Sequence, residues 1–131
     1  MHSFVLQDWI TVRGVITTPG QIITQGESGW LDLAPYQDVS FWLDVREFTP
    51  PSSPVPTIVF QTSPIKEDGL FQNMVSPISL TLTPSNPSRV PITTSQTPVA
   101  RYVRWQLQGT TSGTVWDVTF RVLVSADGLG L

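Results

Sequence analysis

The chain has 131 residues and a mass of 14.5 kDa, which suits one domain (1–131) and leaves no room for a second. With no Cys and 40% hydrophobic residues, it must fold on apolar burial alone, and the 13% of charged residues excludes disorder driven by charge. A net charge of −3 on seven basic residues gives no footprint for nucleic acid or an anionic membrane, so neither is expected as a partner.

Period-two alternation dominates, and no window shows a 3.6-residue apolar period. In chain order, weak strand-like runs fall at 8–17, 21–25 and 29–34. A clear strand follows at 38–48, with Val39, Phe41, Leu43 and Val45 on one face and Ser40, Trp42, Asp44 and Arg46 on the other. The Ser- and Pro-rich stretch 49–57 reads as a stiff loop at one end of a sandwich, and 56–62 as another weak strand. Segment 63–77 is the least strand-like. It carries the single Lys and the apolar trio Leu70, Phe71 and Met74, and is expected to fold back over the sandwich end, with one helical turn as the alternative. Runs 78–83 and 89–93 contain or adjoin Pro77 and Pro91, which confines them to sheet edges.

The last two strands are strong. Run 100–108 alternates Arg101, Val103, Trp105 and Leu107 with Tyr102, Arg104, Gln106 and Gln108. Run 114–124 sets Trp116, Val118, Phe120, Val122 and Val124 against Val115, Asp117, Thr119, Arg121 and Leu123. About eight short strands, separated by Pro and Gly, predict an all-β chain folded as a single antiparallel β-sandwich.

The chemistry is defined first by what is missing. His2 is the only histidine and sits on a terminus expected to fray, and there is no Cys, so nucleophilic catalysis and transition-metal ligation lack their usual groups. No phosphate-cradling glycine motif occurs. Asp32, Asp38, Asp44 and Asp117 are read as solvent-facing strand carboxylates paired with Arg46, Arg104 or Arg121. The alternative is a pair meeting across a sheet, as in a glycoside hydrolase. Glu67 and Asp68 lack the spacing of a calcium loop. The expectation is therefore no enzyme, no cofactor and no metal.

Of five tryptophans, Trp9, Trp30, Trp105 and Trp116 lie in phase with or beside apolar neighbours and are expected to pack in the core or at its rim. Trp42 points the other way, beside Asp44 and Arg46. Six Arg stand against one Lys, a bias found where planar, many-donor contacts form at interfaces. The residues expected to make an interaction surface are Trp42, Asp44 and Arg46 on the first strong strand and Tyr102, Arg104 and Gln106 on the second.

The run Ala100-Arg101-Tyr102-Val103-Arg104-Trp105-Gln106-Leu107, with the later Trp116-Asp117-Val118-Thr119-Phe120-Arg121-Val122, resembles the closing strands of discoidin-like, galactose-binding-like jelly rolls. Gly29-Trp30-Leu31-Asp32-Leu33 resembles an early strand of that family. The resemblance spans about a quarter of the chain and implies a jelly-roll fold and, as one functional alternative, a carbohydrate-binding module. Those domains are commonly secreted and disulfide-closed, whereas this chain has no Cys, and its first residues show neither the basic nor the apolar region of a secretory signal. No run reaches the roughly 18 apolar residues of a membrane span. The layout as a whole is similar in type to small Cys-free, all-β accessory proteins of tailed-phage virions. The leading expectation is a non-enzymatic structural protein, made in the cytoplasm and carried in many copies on a head or tail as a decoration component. Its partners would be other protein subunits of the particle or copies of itself, with a glycan as the alternative ligand.

Overall fold

The structure, a computed structural model, describes residues 2–14, 21–49, 55–80, 88–91, 96–109 and 116–128. Among the described residues there are ten strands: β1 (His2–Gly14), β2 (Ile22–Thr24), β3 (Leu31–Asp32), β4 (Tyr36–Thr49), β5 (Thr57–Ser63), β6 (Gln72–Asn73), β7 (Ile78–Ser79), β8 (Ser88–Pro91), β9 (Tyr102–Gln108) and β10 (Trp116–Gly128). They form two antiparallel sheets. The first runs β1-β10-β4-β8 and the second β2-β9-β5-β6. In the second, β2 and β3 lie in turn along β9, and β6 and β7 along β5, so each pair acts as one interrupted strand. Eight strand positions result, as the sequence predicts. The chain changes sheet at nearly every step, a winding compatible with a jelly roll.

The alternation in β4, β9 and β10 decides which faces meet. Val39, Phe41, Leu43 and Val45 of β4 and Trp116, Val118, Phe120, Val122 and Val124 of β10 are buried, as are Val103, Trp105 and Leu107 of β9. Aromatic pairs join the layers: Phe41 of β4 stacks on Phe60 of β5 with ring centroids 4.2 Å apart, and Trp105 of β9 meets Phe120 of β10 edge-on at 5.1 Å. Polar groups in the gap are matched. The Trp105 indole N–H donates to Gln7 Oε1 (3.1 Å), and the buried Gln25 donates to the Leu6 carbonyl (2.7 Å) while accepting from the Trp105 amide (3.3 Å).

Bulges correct the expected pattern in three places. β1 begins at His2, six residues earlier than the alternation predicts, because irregularities between Val5 and Gln7 and between Gln7 and Ile10 break the two-residue period. His2 is therefore held in the ladder opposite Ala126, with its ring against Tyr36, and is not a frayed end. In β4, Val45 opposes Phe120 and Glu47 opposes Thr119, so Arg46 is an extra residue and Phe48 turns toward the core. Asp38 sits at the strand's second irregularity with φ 54°, a left-handed conformation that Asp tolerates.

Pro91 ends β8 at one edge of the first sheet, and Pro77 immediately precedes β7, which pairs with β5 alone, so both prolines stand at edges as expected. Residues 50–54 of the 49–57 loop, 81–83 of the run 78–83, 92–93 of the run 89–93 and 114–115 of the run 114–124 lie outside the described residues. The segment after β5 holds one 3-10 turn, Asp68–Leu70. It folds back over the outer face of the second sheet and not over the sandwich end, with Phe71 and Met74 buried and Leu70 exposed.

Gly14 faces Trp116 across the β1–β10 ladder, and a Cβ there would stand 2.1 Å from the indole nitrogen. Since Trp116 is itself buried, Gly14→Ala is expected to cost about 1–3 kcal/mol through overpacking. Phe120→Ala should cost about 3–5 kcal/mol as a large-to-small core change. Arg121→Ala, one residue along on the outer face, should cost under about 1 kcal/mol. Urea unfolding with unchanged slope checks all three, and equal losses at 120 and 121 would show that both faces of β10 are buried.

Candidate functional site

The outer face of the first sheet is built by register. Val5 of β1 lies beside Leu123 of β10, Leu123 beside Trp42 of β4, and Trp42 beside Arg89 of β8, so one row crosses all four strands. The next row pairs Arg121 with Asp44, whose Oδ2 accepts from the guanidinium Nε at 3.0 Å. On the other side of the apolar row, Ser125 Oγ accepts from the Trp42 indole N–H at 3.0 Å. Val5, Leu123 and Trp42 form the apolar floor of an open groove of about 490 Å³, with Asp44 and Arg121 at one end and Ser3 and Ser125 at the other.

Trp9 belongs to this face and not to the core. The second bulge of β1 turns its ring outward, 38% exposed, between the guanidiniums of Arg46 (5.5 Å) and Arg121 (4.8 Å). Arg89 stands 5.8 Å from the Trp42 ring centroid. Both tryptophans thus carry cations on their faces, and Arg46 and Arg89 have no ion pair among the described residues. Trp42, Asp44 and Arg46 all lie on this outer face, Arg46 beside Trp9. Trp9, Arg89 and Val5 join them unforeseen, because their place follows from a bulge and from pairings that the sequence pattern does not show.

Tyr102, Arg104 and Gln106 lie on the opposite side of the molecule, on the outer face of the second sheet, and are not free. Arg104, expected to be exposed, is buried: its side chain is 4% accessible. Its Nε donates to Gln61 Oε1 (2.9 Å) and its Nη1 to Asp68 Oδ1 (2.6 Å), while the guanidinium lies 3.9 Å from the Phe71 ring and 5.1 Å from that of Trp30. The loop carrying Asp68 and Phe71 covers it. Trp30, expected in the core or at its rim, lies on this outer face as well, edge-on to Phe71 at 4.7 Å.

From Gln61, hydrogen bonds continue to Asn73 (2.9 Å) and Gln106 (3.4 Å), and Gln106 donates to Thr24 (3.0 Å). This polar chain spans the sheet. Tyr102 is flanked by Arg101 (5.0 Å) and Lys66 (5.5 Å), and Arg101 pairs with Asp32 at 3.1 Å.

Among the described residues, no group of three or more His, Cys, Asp or Glu is placed to hold a metal. Three carboxylates, Asp32, Asp44 and Asp68, are each held by an arginine. Asp68 is thereby committed to Arg104. What the first-sheet face offers chemically is stacking surface, guanidinium donors and a small apolar hollow.

The two sides of the Arg104–Asp68 pair should respond unequally. Arg104→Ala leaves Gln61 Oε1 without its donor and empties the space between Trp30 and Phe71, so it should cost about 2–4 kcal/mol. Asp68→Asn removes the countercharge but keeps an acceptor for the guanidinium on a side chain that is 80% exposed and screened by solvent, and should cost less, about 1–2 kcal/mol.

At Asp32, the hydrogen bond from Arg101, helped by the Ala34 amide, holds the carboxyl below its ordinary range. A depressed folded-state value contributes stability above the unfolded value and loses it as pH falls through the folded one. The pair is exposed, so the contribution is small and screened. An NMR titration should find Asp32 ionised at pH values where ordinary aspartates have begun to protonate, and Arg101→Gln should shrink that difference to the part due to the Ala34 amide.

Comparison of the chain with known protein families, with curated proteins and with solved structures returns no match.

Proposed function

We propose that the protein is a non-enzymatic structural component of a larger particle, a virion head or tail accessory of the decoration type, held in many copies through the outer face of its first sheet. One observation carries the reading: the open face holds two tryptophans with guanidiniums by their rings, and one of them, Trp42, lines an apolar hollow. Trp and Arg are the residues that most often dominate binding energy where proteins meet, and they do so around a desolvated centre with a polar rim. Cations stacked on rings are held in place before contact, which lowers the entropy cost of docking. A jelly-roll winding fits this role, since that fold recurs in capsid proteins as well as lectins.

The same groove supports a second reading as a carbohydrate site, because Trp42 has Asp44 and Ser125 near it as hydrogen-bonding groups. Two features favour the protein reading. Trp42 is only half-exposed, with its N–H committed to Ser125, and Arg89 lies over its ring, leaving less open face for a pyranose.

On the assembly reading, Trp42→Ala should leave the chain folded by circular dichroism and weaken co-sedimentation with the particle by about 2 kcal/mol or more, roughly thirtyfold in affinity. A variant that keeps full attachment but loses retention on sugar-affinity columns would replace the assembly reading with the carbohydrate one.

A further inference from the structure

The groove on the first sheet has one charged end. Among its lining residues only Asp44 and Arg121 carry charge, while Arg46, Arg89 and Glu47 lie outside it. A single hydrogen bond joins the pair, from Arg121 Nε to Asp44 Oδ2. Asp44 Oδ1 and both Nη atoms of Arg121 make no hydrogen bond among the described residues, where no buried side-chain nitrogen or oxygen is left without a partner, so these atoms face solvent. Asp44 and Arg121 keep 23% and 37% of their side-chain surface exposed. An anionic acceptor thus stands directly beside cationic donors, next to an apolar floor. We infer that the groove binds a free α-amino acid with a large apolar side chain. Its ammonium donates to Asp44 Oδ1, its carboxylate accepts from the Nη atoms of Arg121, and its side chain lies on Val5, Leu123 and Trp42. The inference does not rest on attachment to a particle.

Charge selects this ligand class. A lone carboxylate drawn to Arg121 is repelled by Asp44, and a lone amine drawn to Asp44 is repelled by Arg121, because the two groups stand side by side. A zwitterion laid antiparallel to the pair meets opposite charge at both ends, through charge-assisted hydrogen bonds. A neutral sugar brings no charge to either group. The site is also held in shape before contact: Asp44 and Arg121 oppose each other on adjacent strands, β4 and β10, and the guanidinium rests 4.8 Å from the Trp9 ring centroid. Little ordering is left to do on binding. Size agrees with the chemistry. From the Arg121–Asp44 row to Ser125 is two steps of the pleat, roughly 13 Å, which is room for a head group and an aromatic or branched side chain laid along the strands. A cavity of about 150 Å³ holds a benzene ring, so a groove of about 490 Å³ takes that side chain and the head group together. Apolar walls with a few convergent polar groups are the usual build of a small-molecule site.

The test leaves the protein unaltered and varies the ligand. L-phenylalanine, followed by NMR at the Trp42 indole N–H and the Leu123 methyls, should bind saturably with a dissociation constant on the order of 1 mM, the range open to so small a ligand in an open groove. Phenylalanine amide, which lacks the carboxylate, and N-acetyl-phenylalanine, which lacks the ammonium, should each bind at least about tenfold more weakly, the loss of one charge-assisted hydrogen bond. Glycine, which keeps the head group and loses the side chain, should not saturate. Asp44→Asn keeps the shape of the site and removes its negative charge, so it should weaken phenylalanine at least about tenfold and strengthen N-acetyl-phenylalanine, an inversion that a merely distorted groove does not produce. The inference is overturned if phenylalanine causes no saturable shift at Trp42 and Leu123, or if the two blocked derivatives bind as well as the free amino acid, which would mean that the groove reads apolar bulk alone. It is equally overturned if Asp44→Asn leaves the ranking of ligands unchanged, or if a neutral monosaccharide binds the groove in preference.

Discussion

A guanidinium buried on the outside of a sheet has to be given partners, because an unpaired charge taken out of water is among the most costly features a small domain can carry. Arg104 is such a group, and the arrangement of the second sheet follows from it. Asp68 supplies the countercharge and Gln61 the neutral acceptor, with Phe71 and Trp30 closing over the planar faces. Once Asp68 is committed, residues 64–70 are drawn across β5 and β9, and strand β5 becomes buried on both sides. Asp68 lies 36 residues before Arg104 in the chain, so this is a long-range tie that locks a loop onto the sheet.

The two faces of the sandwich diverge for that reason. On the second sheet, a hydrogen-bonded chain from Thr24 to Asn73 ties polar side chains to one another, and the solvent meets the 64–70 loop, with its charged and aliphatic residues, and the Arg101–Asp32 pair. The first sheet has no covering segment among the described residues. Its outward residues satisfy one another only in part: Arg121 with Asp44, Trp42 with Ser125, and cations laid over indoles.

Bulges do the aiming. A regular β1 would alternate without interruption. The shifts after Val5 and after Gln7 instead bury Leu6 and turn Trp9 out beside Arg121, while the shift at Arg46 brings a second guanidinium to the same ring. Two irregularities on strands flanking β10 thus converge on one aromatic ring. Such distortions re-aim side chains at functional surfaces, and they also make a long edge strand such as β1 a poorer template for uncontrolled pairing.

The amino-acid sequence by itself determined the all-β class, the strand positions of β4, β9 and β10 and their inward sets, and the edge placement of Pro77 and Pro91. Those features depend on a two-residue period and on proline's missing donor, which are local properties of the chain. It also marked Trp42 and Asp44 as outward, since they sit on an unbroken stretch of alternation, and Arg46, where the bulge breaks it. Only the tertiary structure decided that Arg104 is buried while Arg46 is not, that Trp9 and Trp30 lie outside the core, and that the six marked residues divide between opposite faces. The outward phase of a strand says which way a side chain leaves the sheet, whereas its burial depends on what a distant segment lays over it, and a bulge shifts the phase with no residue pattern to announce it.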